Sequence, residues 1–132
     1  MSEFPPLEGI VPEYHSRNPV INAFFRKRLE VALEFAELGG ASPLDVLDLG
    51  CGEGLFLRGA VARHPAHRYE GWDIHPRVES VVVQGARFRR VDILTPAQVP
   101  AQRFDRVLCL DVLEHFEDLG PVLAAVKGLL KP

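Results

Sequence analysis

Val46-Leu47-Asp48-Leu49-Gly50-Cys51-Gly52-Glu53-Gly54 is the stretch on which the reading of this chain turns. A short apolar run closes on an acid, glycines follow at every second position, and Leu55-Phe56-Leu57 opens a helical pattern. The pattern predicts a strand, a tight turn and a helix N-terminus, the place where α/β proteins seat nucleotide-like ligands. Glycine suits such a turn because it accepts positive φ and lets a ligand approach the backbone. The spacing is G-x-G-x-G, with Leu55 where a dinucleotide fingerprint would have its third glycine, and no Gly-Lys-Ser/Thr follows as a P-loop requires. Asp48 and Glu53 border the glycines with negative charge. A pyrophosphate would be repelled there, whereas an ammonium or sulfonium cation would be attracted. The charge and the spacing together argue against a nicotinamide-dependent oxidoreductase.

With 132 residues the chain is one domain at most, long enough for a core. Its net charge of −3 provides no general attraction to nucleic acid or to an anionic membrane, so neither is expected as a partner. The basic clusters Arg26-Lys27-Arg28 and Arg87, Arg89, Arg90 read as solvated faces. Two cysteines, one in the glycine turn and one in an apolar run, do not suggest a disulfide framework. No apolar run approaches the ~20 residues of a membrane span, and no signal peptide is visible, so a cytoplasmic location is expected.

Residues 1–17, with Pro5, Pro6, Gly9 and Pro12, read as an irregular arm ahead of one domain at 18–132. Asn18-Pro19 is a helix start, and Ile21, Phe24, Phe25, Leu29, Ala32 and Leu33 recur at helical spacing until Gly39-Gly40. Asp45 to Leu49 is the first strand, buried on both faces. A helix from near Gly54 runs to about His64, ahead of Pro65, and Arg68 to Asp73 is the second strand. Pro76 to Gln84 suits a short helix or, at Val81-Val82-Val83, a strand; the need for a crossover favours the helix. Arg87 to Val91 is the third strand, Thr95 to Arg103 a surface connection, and Phe104 to Val112 the fourth strand. Pro121, Val122, Leu123, Val126 and Leu129 mark a last amphipathic helix. Alternating strand and helix predict a doubly wound α/β sheet.

In order from about Asp45 onward, the chain resembles the class I S-adenosylmethionine-dependent methyltransferases. Asp48-Leu49-Gly50-Cys51-Gly52-Glu53-Gly54 looks like their first motif, Trp72-Asp73-Ile74 like the acidic ribose-binding position, and Val91-Asp92-Ile93 like the adenine-contacting one. Phe104-Asp105-Arg106-Val107-Leu108-Cys109-Leu110-Asp111-Val112-Leu113-Glu114-His115 is similar to the fourth-strand motif of the ubiquinone- and menaquinone-type branch. The resemblance implies a Rossmann-like parallel sheet of order 3-2-1-4. It departs from the family in lacking the usual C-terminal strands after Lys131-Pro132, which leaves the apolar fourth strand as an open edge and suggests a fragment or a self-pairing subunit. It implies S-adenosylmethionine as cofactor and a small-molecule or lipid-like methyl acceptor. On this likeness Asp48 faces the ammonium end, with Gly50, Cys51, Gly52 and Gly54 beneath the methionine portion. Asp73 takes the ribose, Ile74, Asp92 and Ile93 surround the adenine, and Asp111 and Val112 complete the pocket.

Asp111, Glu114 and His115 admit three readings. His115 could be a general base at the acceptor, the three could hold Mg²⁺ or Mn²⁺ as in small-RNA 2′-O-methyltransferases, or Glu114 and His115 could cap the turn before the last helix. Structural or acceptor-side roles are favoured over metal. Tyr14, His15 and Arg17 read either as a lid over the cofactor or as plain surface. His64, His67 and His75 read as surface. A non-catalytic S-adenosylmethionine-binding module stands as the alternative to an enzyme.

Overall fold

The computed structural model describes residues 4–40, 42–95, 98–99, 101 and 103–132. Its elements in chain order are α1 (Pro19–Phe35), β1 (Asp45–Leu49), α2 (Leu55–Arg63), β2 (Arg68–Asp73), β3 (Ala86–Arg90), β4 (Arg106–Cys109) and α3 (Leu119–Leu129). The four strands form one sheet of order β3-β2-β1-β4, with every pairing parallel. Asp48 stands opposite Gly71 on β2 and Leu108 on β4, so the centre of β1 is flanked on both sides.

β1 is the axis because its side chains are buried on alternating faces. Val46 packs toward α1 and α2 with Leu33, Phe56, Leu57 and Tyr69. Leu47 and Leu49 pack toward α3 with Trp72, Phe104 and Leu129. Val46, Leu47, Leu57 and Trp72 are fully buried, each side chain contributing about 1.5–3 kcal/mol by leaving water. Helix starts follow local chemistry. The Asn18 side chain accepts from Val20 N at 2.9 Å and Ile21 N at 3.4 Å, and Pro19 at the first helical position has no N–H to satisfy. The last helix is capped by Asp118, which accepts from Gly120 N at 2.9 Å; Glu114 and His115 lie in the 3-10 turn Leu113–His115 that precedes it.

Two segments differ most from the sequence expectation. Pro76 to Gln84 holds no α-helix, only the 3-10 turn Val78–Ser80, after which Val81 is extended. Successive β-branched valines resist helix, and Gly85, at φ +96, turns the chain straight into β3 with Val61 of α2 close beneath it. β4 is four residues long, shorter than the apolar run Phe104 to Val112, because only Val46–Leu49 of β1 is available to pair with it. Phe104 bridges instead to Leu130, and Lys131 binds Asp45 at 2.8 Å and Asp105 at 3.0 Å, tying the end of the chain to the base of the sheet. Pro96, Ala97, Pro100 and Gln102 of the expected surface connection lie outside the described residues.

The expectation that His67 and His75 lie on the surface is wrong, for both are buried. His67 Nδ1 accepts from Leu44 N at 3.0 Å, and its Nε2 faces Leu38 O at 2.5 Å. His75 Nδ1 accepts from Arg77 N at 3.1 Å, which leaves Nε2 to donate to Pro5 O at 2.7 Å. Imidazoles are held inside because both ring nitrogens meet backbone groups.

Candidate functional site: the crevice at the ends of β1, β2 and β4

The C-terminal ends of parallel strands leave a crevice where neighbouring connections diverge, and here it is floored by the turn after β1. Gly50, Gly52 and Gly54 all have positive φ, +74, +52 and +83. At Gly50 the requirement is also steric, since a Cβ there would fall 2.0 Å from Val112 Cγ2. The turn is fastened from β2: Gly50 N and Cys51 N donate to Trp72 O at 2.7 and 3.1 Å. Asp73 continues the clasp, its Oδ2 accepting from Gly52 N at 2.9 Å and its Oδ1 from His75 N at 2.9 Å. Cys51 is buried with its sulfur against Gly71, and burial pushes its thiol far up, so it carries no reactive thiolate.

Four carboxylates surround this floor, and three are engaged. Glu53 pairs with His15 at 2.7 Å. Asp73 accepts the two backbone N–H groups just described. Asp111, at φ +53, is salt-bridged to Arg28 of α1 and accepts from the Tyr14 hydroxyl at 3.5 Å. Asp48 is the exception: it is 2% exposed, and its Oδ1 has no hydrogen-bond partner among the described residues. Burial, then the nearby charges of Asp73 and Asp111, push its carboxyl up to about 8. Tyr14 is likewise pushed up, by burial and then by Asp111.

The crevice has two lobes. One, about 70 Å³, lies over Asp48 and the glycine turn beneath Val11 and Tyr14. The other, about 300 Å³, is lined by Asp73, Ile74, Asp92, Ile93, Val112 and His115 among others. Ile93 is buried in its wall and Ile74 is half exposed at its lip. The Asp92 carboxylate accepts from Leu94 N at 2.9 Å and the Thr95 hydroxyl at 3.3 Å, closing a turn at the crevice rim. His115 is largely exposed at the same rim, 4.0 Å from Glu114. The carboxylate of Asp111 turns toward Arg28, away from any ligand set with those two, and among the described residues no three His, Cys, Asp or Glu side chains converge to hold a metal ion.

The N-terminal arm is irregular as expected, made of the 3-10 turns Leu7–Gly9 and Pro12–His15, but it is packed over the crevice. Its fastenings are Pro5 O on His75, His15 on Glu53, and Tyr14, whose ring meets Phe25 edge-on and whose carbonyl accepts from Asn22 Nδ2 at 2.7 Å. Arg17 remains exposed. The sequence reading missed Arg28, placed among solvated cations, although it lies across the crevice mouth from Asp111. The groups are 83 positions apart, so no local pattern signals the pair.

Parallel strand order, an acid-bordered glycine turn and a two-lobed crevice define a Rossmann-like ligand-binding domain. The chain belongs to the methyltransferase domain family, whose profile matches residues 21–132. It is similar to the ubiquinone biosynthesis O-methyltransferase of Hahella chejuensis, 36% identical over 138 aligned positions that cover 99% of this chain and 50% of the relative. The enzyme of that name from Xanthomonas euvesicatoria is 36% identical over 95% of this chain and 50% of its own. The chain thus spans about half the length of the curated relatives it matches. Among solved structures the fold matches the N-methyltransferase NodS from Bradyrhizobium japonicum in complex with S-adenosyl-L-homocysteine, with a TM-score of 0.71 and 24% identity over 96% of this chain and 65% of that one. Coclaurine N-methyltransferase bound to N-methylheliamine and S-adenosylhomocysteine gives a TM-score of 0.68 at 18% identity, covering 88% of this chain and 35% of that one.

Proposed function

We propose that this chain forms the S-adenosylmethionine-binding part of a methyltransferase acting on a small-molecule or lipid-like acceptor, within a domain covering residues 18–132. The observation that carries the reading is Asp48, a buried carboxylate with an unpartnered oxygen beside a turn that only glycine can make. A cationic tail fits that lobe, and a diphosphate does not. In this reading Asp48 receives the ammonium end of the donor, while Gly50, Cys51, Gly52 and Gly54 present backbone without side-chain obstruction. Asp73 keeps lone pairs for ribose hydroxyls while it braces the turn. Ile74, Asp92 and Ile93 bound the adenine lobe, with Asp111 and Val112 on the opposite wall.

Bound S-adenosylmethionine supplies a methyl group already activated on a sulfonium. The chain contributes binding, orientation and exclusion of water, which is what Tyr14 and Val11 do by roofing the smaller lobe. In this reading His115, exposed at the rim of the larger lobe, takes a proton from an acceptor hydroxyl. The similarity to ubiquinone biosynthesis O-methyltransferases favours such an acceptor. A binding module without turnover is the second reading. No helix among the described residues is long and apolar enough to cross a membrane. Together with the cysteine usage this supports the cytoplasmic reading, and pairing of two copies through β4 belongs with it as a proposal.

Thermal-shift titration with S-adenosylmethionine, S-adenosylhomocysteine and NAD, followed by methyl-transfer assays against phenolic acceptors, tests the reading. Stabilisation by the first two ligands is expected. Stabilisation by NAD alone overturns the proposal, and binding without methyl transfer selects the module.

A further inference from the structure

Four acids border the glycine turn, and among the described residues two basic side chains reach them. His15 lies against Glu53 and Arg28 against Asp111, while two backbone N–H groups satisfy Asp73. Among the described residues nothing comparable reaches Asp48. Around it stand Asp73 from the end of β2, Asp111 after β4 with its Arg28 partner from α1, Tyr14 of the arm, and Cys51 in the turn. All are negative or neutral except Arg28, whose charge is already matched by Asp111. A buried carboxylate without partner or cation is strongly disfavoured as an anion, and it escapes that state either by gaining a counter-charge or by taking a proton.

We propose that Asp48 carries a proton while the crevice is empty and surrenders it to solvent when a ligand's ammonium group arrives, so that binding exchanges one positive charge for another. This rests on the reading of the crevice as the S-adenosylmethionine site and adds to it a proton linkage. Burial and the two neighbouring carboxylates hold the Asp48 carboxyl up to about 8 in the empty protein. Near neutral pH the proton is therefore in place before binding, and an ammonium beside the carboxylate lowers its proton affinity again. Protons and ligand compete, so affinity for an ammonium-bearing ligand rises with pH until the carboxyl is ionised on its own and is level beyond that point. The same geometry separates ligands by their tails. An adenosine thioether without an amine fills the adenine lobe but leaves the Asp48 proton where it is.

Isothermal titration calorimetry on the whole 132-residue chain tests this. S-adenosylhomocysteine is titrated at pH 6.5, where an α-ammonium is still charged, in buffers of different ionisation enthalpy, and 5′-methylthioadenosine serves as the amine-free ligand. Release of close to one proton per S-adenosylhomocysteine is expected, none with methylthioadenosine, and none with either ligand in Asp48→Asn. The affinity for S-adenosylhomocysteine is expected to rise about tenfold between pH 6 and 7, while that for methylthioadenosine stays flat. Binding of S-adenosylhomocysteine by the unaltered chain with no net proton release overturns the proposal and leaves the site assignment standing. Equal release in the unaltered chain and in Asp48→Asn also overturns it, because the proton then comes from another group. Failure of both ligands to bind overturns the site reading and the linkage with it.

Discussion

Replacing Asp48 by Asn should make the ligand-free protein more stable, and the gain should depend on pH in a defined direction. The folded carboxyl stands at about 8 against a reference of 3.8. Native protein therefore binds a proton that the unfolded chain gives up, and stability falls as pH rises between those two values. The contribution is intact below about pH 4 and is lost progressively up to about pH 8, after which the folded group also ionises and the slope ends. At pH 7 the interval above the reference is about 3 pH units, and at roughly 1.4 kcal/mol per unit the ceiling is about 4 kcal/mol. Water penetration and relaxation around the carboxylate reduce this to on the order of 1–3 kcal/mol. Asn fills the same space without charge, so it should recover that amount at pH 7–8 and almost none at pH 4, which is about 3–15 °C in Tm over that range. Thermal denaturation of both proteins from pH 4 to pH 8.5 measures it. A variant less stable than the parent at pH 8, or a gain that does not change with pH, would refute the picture of an uncompensated buried acid.

Asp73→Ala should weaken S-adenosylhomocysteine binding by about 1–3 kcal/mol, since it removes a charged acceptor and loosens Gly52; calorimetric titration reads the loss, and unchanged affinity removes Asp73 from the site. Gly50→Ala should destabilise the fold by on the order of 2–4 kcal/mol, because the added methyl meets Val112 in a backbone region alanine disfavours, and denaturant titration gives the value. Arg28→Ala should free Asp111 and slacken the arm through Tyr14, which limited proteolysis should detect as faster cleavage before Asn18; an unchanged pattern would show that the arm is held without this contact.

The parts of the fold that could be read from the chain are those decided locally. β1 and β2 have the expected limits, Asp45–Leu49 and Arg68–Asp73, because strong turn residues bound them: Pro43 and Gly50 around β1, Pro65 and Pro76 around β2. The start of α1 is written in Asn18-Pro19, and the glycine turn in its own spacing. What was not legible depends on distant partners. The length of β4 is set by β1, and the burial of His75 by Pro5, 70 positions away. The missing helix after β2 shows crossover logic yielding to local chemistry, with three valines and Gly85 completing the connection in one 3-10 turn. Within the candidate site, the acids were visible as acids, but not which were already neutralised. That separates Asp48 from Asp111, and it depends on Arg28 reaching across from a helix more than eighty residues earlier.

Beside β4 and α1 runs a groove of about 650 Å³ walled by Val31, Phe35, Val107 and Leu108, with Phe24 and Phe35 open to solvent. Its floor is an end strand whose outer row of amides and carbonyls faces no other strand among those described. Such a margin acts as a template, so the solution behaviour of this polypeptide should be governed by crowding: monodisperse when dilute, and prone to edge-to-edge growth as concentration rises.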